Sequence, residues 1–284
     1  MKYRGHLLIA IIALLIALTF AHPSLFVTDE WVTVNQLSQL HGGHQIIYNE
    51  GKYGVSENGT PHPYFENKQN VLAYSLFLPV IALPSLMLID IFGNHFIFLI
   101  IYLWTLLLLA LALLMNTCFS EQTYLGRWRW TNGLIGLTFI VFFINLVFYN
   151  AFPLSGTSDY SDVVAIVFTN IFLFAALAVM VFEICRTIFE DTGYALFATL
   201  TCISCSSYLF WTTFCKDHVL VAFLVAAILL LVIKALHENN VHFLWGSFMV
   251  SGLLAWARPE LALFIAGTLC IITGYFLVYA KETF

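Results

Sequence analysis

Residues 71–91, VLAYSLFLPVIALPSLMLIDI, run almost directly into residues 95–115, HFIFLIIYLWTLLLLALALLM, and the way this pair is threaded decides the topology of the whole chain. Each run, taken as a helix with a rise of 1.5 Å per residue, is long enough for a hydrocarbon core about 30 Å thick. Between them the chain offers only Asp90-Ile91-Phe92-Gly93-Asn94, and Pro79 and Pro84 interrupt the first run. An interior proline removes a backbone donor and crowds the preceding turn. The first run therefore reads as a broken helix.

Similar apolar runs flank the pair on both sides, at 133–152, 163–183, 194–211, 219–236, 244–257 and 260–280, with another from Leu7 to Val27 near the start. The 284 residues are 61% hydrophobic and 10% charged, with a mean hydropathy of +0.90. A soluble domain carries roughly 25% charged residues, so a soluble globular protein is excluded. Runs of this length without β-type alternation favour helices over a barrel, because a helix satisfies its backbone groups internally in lipid. The fold expected is all-α, a single polytopic helix bundle over residues 1–284, multi-pass in the cell membrane. The net charge of −5 and the lack of a basic stripe give no support to a nucleic-acid partner. None of the six cysteines falls in the polar insert at 28–70, and Cys202 and Cys205 lack a second ligand pair. A disulfide framework and a zinc site are both disfavoured.

Charge settles which way residues 71–91 are threaded. If they return to the outer face without crossing, Lys2, Arg4, Arg127, Arg129, Arg186, Lys234 and Lys281 fall inside, leaving Lys52, Lys68, Lys216 and Arg258 outside. A crossing would reverse this seven-to-four split, and cytoplasmic loops carry the excess of Lys and Arg. The expectation is about eight crossings plus one broken helix, 71–91, that is interfacial or re-entrant. Lys2 and Arg4 ahead of the first run, which is long enough to span, suit an uncleaved first helix with its N-terminus inside.

The polar insert at 28–70 then becomes a large extracytoplasmic loop. Thr28 suits an N-cap, Asp29 and Glu30 a first helical turn, and Gly42-Gly43 a stop, which predicts a short amphipathic helix at the membrane surface. His41, His44 and His62 show no recognised ligand spacing, and no metal site is assigned to them. Asp29, Glu30, Asp159, Asp162, Lys216, Asp217, Arg258 and Glu260 all fall on the outer face.

An acidic residue directly after the first helix, a long outer loop rich in Gly and Tyr, a broken apolar helix ending in Phe92-Gly93, and Arg258-Pro259-Glu260 between membrane helices together resemble the GT-C glycosyltransferase superfamily. The nearest members are the protein mannosyltransferase-like and aminoarabinose-transferase-like groups, and the resemblance covers most of the chain. It implies transfer of a sugar from a polyprenyl-phosphate donor to an acceptor at the extracytoplasmic face. Members of the superfamily usually have more helices and a C-terminal portion, so the resemblance also implies a truncated or split member, completed by a partner chain.

On this resemblance Asp29 is the catalytic base that deprotonates the acceptor hydroxyl, with Glu30 the neighbouring candidate. Both acids equally suit a helix N-terminus. Arg258 is the candidate for the carrier phosphate, since a guanidinium binds phosphate bidentately and an arginine between apolar segments needs a partner. An interfacial contact to Glu260 or to lipid headgroups would also satisfy it, and Lys216 is a weaker candidate of the same kind. Asp159 and Asp162 are placed to bind acceptor or a divalent cation, the only cofactor considered, although Asp162 suits a cap for the helix starting near Val163. The alternatives are a noncatalytic membrane scaffold and a lipid or solute transporter. The transporter would more naturally show an internal repeat, and none is convincing.

Overall fold

The computed structural model describes residues 4–21, 23, 30–44, 75–118, 124–125, 128–148 and 161–279. The apolar runs fold as α1 (Arg4–Phe20), α3 (Phe77–Phe92), α4 (Phe96–Cys118), α5 (Trp130–Phe148), α6 (Ser161–Phe189), α7 (Thr192–Ile203), α8 (Ser206–Thr212), α9 (His218–Glu238), α10 (Val241–Ala257) and α11 (Pro259–Tyr279). The helix of the polar insert is α2 (Glu30–His41), and a two-residue antiparallel ribbon, β1 (Tyr124–Leu125) with β2 (Trp128–Arg129), lies between α4 and α5.

Four stretches among the described residues are long and apolar enough to cross a membrane: 77–115, α6, α9 and residues 259–278 of α11. The expectation of about eight crossings is corrected to that extent, and the reason is local. Polar and breaker residues cut the remaining runs short: α1 and α10 have 17 residues each, α7 only 12. Seventeen residues reach about 26 Å, slightly less than the hydrocarbon core. The run at 194–211 is divided at Ser204 and Cys205, where Cys205 is extended, and Asn239 in the left-handed region separates α9 from α10. Arg258 ends α10, and Pro259, which needs no backbone N–H in a first turn, starts α11.

Helix α6 is the axis of the bundle. Every residue from Asp162 to Ile171 is buried, and α1, α3, α7 and α9 pack around it. Outward faces of α5 and α11 carry Phe143, Val147, Phe148, Leu263, Phe264 and Ile271 exposed, as lipid-facing helices must. A soluble monomer rarely shows apolar patches of that extent.

The insert helix α2 forms where the sequence placed it and stops at Gly42-Gly43, with Gly43 at φ +80°. It is not a surface helix. Val34 and Leu37 join the main core, Glu30, Asn35 and Gln36 are also buried, and the helix packs against α3 and α6. At its far end His41 pairs with Asp90 of α3 at 2.9 Å. Trp31, Val34, Leu37 and Leu40 do recur every three residues, but a packed bundle buries such a stripe more fully than a membrane surface would.

Charged groups gather at the two ends of α6. Near its C-terminus Glu183 meets His6 at 2.8 Å, Arg186 at 2.8 Å and Lys234 at 3.7 Å. Near its N-terminus Asp162 lies buried. The rise of a helix puts these two acids about 31 Å apart, one hydrocarbon thickness.

Candidate functional site

The end of the bundle marked by Asp162 holds the candidate site, and its centre is the short connection from Thr213 to Asp217 between α8 and α9. Backbone groups enclosed by apolar helices must find partners within the protein. Buried polar side chains from two elements supply them. Glu30 of α2, fully buried, accepts the Cys215 N–H at 2.7 Å. Asn170 of α6, also fully buried, donates its Nδ2 to the carbonyls of Phe214 at 2.8 Å and Lys216 at 3.3 Å. Cys215 itself is buried and its Sγ donates to the Val163 carbonyl at 3.8 Å. Burial first, then the negative charges of Glu30 and Asp162, push its thiol well above the ordinary 9.0.

The connection so held presents Lys216 and Asp217 to the turn between α10 and α11. There the Arg258 Nε donates to one Asp217 oxygen at 2.9 Å and the Nη2 to the other at 2.8 Å. This side-on, two-bond arrangement is the strong form of an arginine–carboxylate contact. The start of α3 is tied to the same corner. Ser75 Oγ donates to the Trp256 carbonyl at 2.6 Å and accepts from Phe77 N–H at 3.1 Å, while the Phe77 and Trp256 rings stack at 4.9 Å.

A cavity of about 240 Å³ opens between these elements. Its walls include Thr33 and Ser75, Lys216 and Asp217, and Arg258 with Glu260. Two cations, two carboxylates and two hydroxyls thus converge at one end of an otherwise apolar bundle. Such a surface can bind an anion only by competing with the acids already present.

The candidates from sequence separate into three groups. Lys216 and Arg258 come together at the cavity. Glu30 and Asp162 lie buried beside Cys215, Glu30 holding the backbone of the connection. Asp29 and Asp159 lie outside the described residues. Among the described residues no three His, Cys, Asp or Glu side chains gather as a metal site. Sequence reasoning missed Asn170 and placed Asp217 on the outer face without giving it a role. Asp217 immediately precedes an apolar helix and invites reading as a plain N-cap, yet its side chain makes no cap bond. Asn170 carried a weaker sign, an amide in the middle of an apolar run.

The fold and the two polar ends define a multi-pass membrane protein built of helices. Comparison with protein-family models, with curated proteins and with solved structures gives no significant match.

Proposed function

We propose that the cavity holds the phosphate of a polyprenyl-linked sugar and that the protein transfers the sugar to an acceptor at the extracytoplasmic face. The observation that carries this reading is the convergence of Lys216 and Arg258 on one cavity at the end of an apolar bundle. A phosphate there would have two cations and the Thr33 and Ser75 hydroxyls within its walls, and its polyprenyl chain the apolar helix faces. Asp29, one residue before α2, keeps the role of general base in this reading, because Glu30 is engaged with the Cys215 backbone.

The placement of chain ends supports a return of residues 71–91 to the same face. Ser75 touches Trp256 beside the cavity, and Val163 touches Cys215 at the same end. Among the described residues between Ser75 and Val163 stand three apolar helices, α3, α4 and α5, and a chain that leaves and regains one face crosses an even number of times. The helix with an interior proline, Pro84, and a Gly93 stop at φ +50° is the one best suited not to cross. In this reading the shorter helices α1, α5 and α10 also cross, and α7 with α8 makes one divided crossing, beside the long spans.

One observation favours a second reading. Asp217 already fills the fork of Arg258, which suits a noncatalytic scaffold in which the pair simply pins α10 to α9. The test is binding of geranylgeranyl phosphate to the purified chain, with Arg258→Ala and Lys216→Ala beside the wild type, and phosphatidate as competitor. Saturable binding that both variants weaken, and that phosphatidate does not displace, supports the proposal. Equal competition by phosphatidate would make this an ordinary headgroup site, and absence of binding would leave the scaffold.

A further inference from the structure

We infer that Asp217 is an exchangeable counter-ion: a phosphate entering the cavity takes the Arg258 guanidinium from it, and the released carboxylate turns onto the amide groups that open α9. This rests on the phosphate-binding reading above and adds a device that sets which anions the cavity accepts.

Three observations carry it. Asp217 stands at the N-cap of a 21-residue helix, the position where aspartate ordinarily accepts a hydrogen bond from the first turn, yet its side chain makes none. Both its oxygens go instead to Arg258, at 2.9 and 2.8 Å. The carboxylate thus adjoins both the guanidinium and the positive end of the α9 dipole, and with Asp217 at φ −79° and ψ 3°, away from the extended backbone of a capping residue, only the guanidinium is bonded. Second, the pair is reachable: Asp217 and Arg258 line the same cavity, with side chains 19% and 34% exposed, so an anion can approach without unfolding anything. Third, Lys216 lines the same cavity, so a second cation borders the space an incoming anion would enter.

The exchange conserves charge pairing. Before it, carboxylate and guanidinium neutralise each other. Afterwards, phosphate faces Arg258 and Lys216, and the carboxylate faces the positive end of the α9 dipole. A neutral headgroup or a singly charged carboxylate offers Arg258 nothing better than Asp217, whereas the phosphate monoester left on the carrier once the sugar departs brings more charge and one more free oxygen than the singly charged diester of the sugar-linked donor. The resident aspartate thus lowers affinity for every anion and excludes the weaker ones.

The experiment measures geranylgeranyl phosphate and, separately, geranylgeranoate binding to the full chain in detergent. The variants are Asp217→Asn, Asp217→Ser, Arg258→Ala and Asp217→Asn with Arg258→Ala, each checked by thermal unfolding. Serine can still cap α9 but cannot hold the fork, which keeps the test informative if asparagine disturbs folding. Either Asp217 variant should bind the phosphate at least about tenfold tighter, the lower end of the scale of one charge-assisted hydrogen bond, and should gain measurable affinity for the carboxylate. The double variant should fall back to the level of Arg258→Ala. Wild-type binding that Arg258→Ala weakens, combined with unchanged or weaker binding in both Asp217 variants, would overturn the exchange and leave the phosphate site standing. No phosphate binding in any form would overturn both.

Discussion

Arg258 and Asp217 meet in two hydrogen bonds of 2.9 and 2.8 Å, joining the residue that follows α10 to the residue that precedes α9. The two positions are 41 apart in sequence and are brought together by the antiparallel packing of α9 on α10. With both side chains partly exposed, the pair is expected to couple by about 1 kcal/mol in a double-mutant cycle of thermal stability. Arg258→Lys keeps the charge but loses the fork, so it should weaken geranylgeranyl phosphate binding, and Arg258→Ala should weaken it further. Equal binding in all three forms would remove Arg258 from the site.

Glu30 and Asp29 should behave differently although they are neighbours. Glu30→Ala leaves the buried Cys215 N–H without its acceptor, a loss of about 1–3 kcal/mol measurable by thermal unfolding in detergent. Glu30→Gln retains an oxygen and should fold and transfer sugar nearly as the wild type does. Asp29→Asn should abolish transfer while leaving membrane insertion intact. If Glu30→Gln abolishes transfer and Asp29→Asn does not, the base is Glu30.

Cys215 gives a pH dependence whose sign follows from its burial. In the unfolded chain the thiol ionises near 9.0, whereas in the folded protein it ionises at a higher pH. Above about pH 9 the unfolded state therefore holds fewer protons than the folded one, so stability falls as pH rises. Below that pH the contribution is constant. Unfolding midpoints of wild type and Cys215→Ala between pH 7 and 10.5 should show the alkaline decline reduced in the variant. Maleimide should leave Cys215, which is buried, unlabelled until the protein unfolds.

Topology can be read by placing single cysteines in a cysteine-free background. Positions 57 and 158 should be labelled from outside and position 128 from inside, as an even number of crossings between Ser75 and Val163 requires. Opposite sides for 57 and 158 would mean that residues 71–91 cross, and the polar groups gathered at one end could not then share a face.

Much of the fold was legible because lipid imposes a simple rule. A run of apolar residues in a membrane must satisfy its own backbone, so length and hydropathy alone give helices and their approximate limits. Gly42-Gly43, Gly93 and Pro259 marked three helix boundaries for equally local reasons. The site was legible in part. Lys216 and Arg258 stood out as cations at the ends of apolar runs, where an unpaired charge is costly. Asn170 and Asp217 did not, since an amide in an apolar run and an aspartate before a helix each have an ordinary local explanation.

The sequence by itself determined a multi-pass helical membrane protein, its charged residues at helix ends, and a helix within the polar insert. Only the tertiary structure decided that this helix lies inside the bundle, that Glu30 and Asn170 hold the 213–217 connection, and that Asp217 binds Arg258 and makes no cap bond to α9. The division has one physical cause. Helix formation in lipid is governed by groups a few residues apart, whereas the partner of a buried polar group is whichever donor or acceptor packing brings near. Between Glu30 and Cys215 that partner is 185 residues away along the chain.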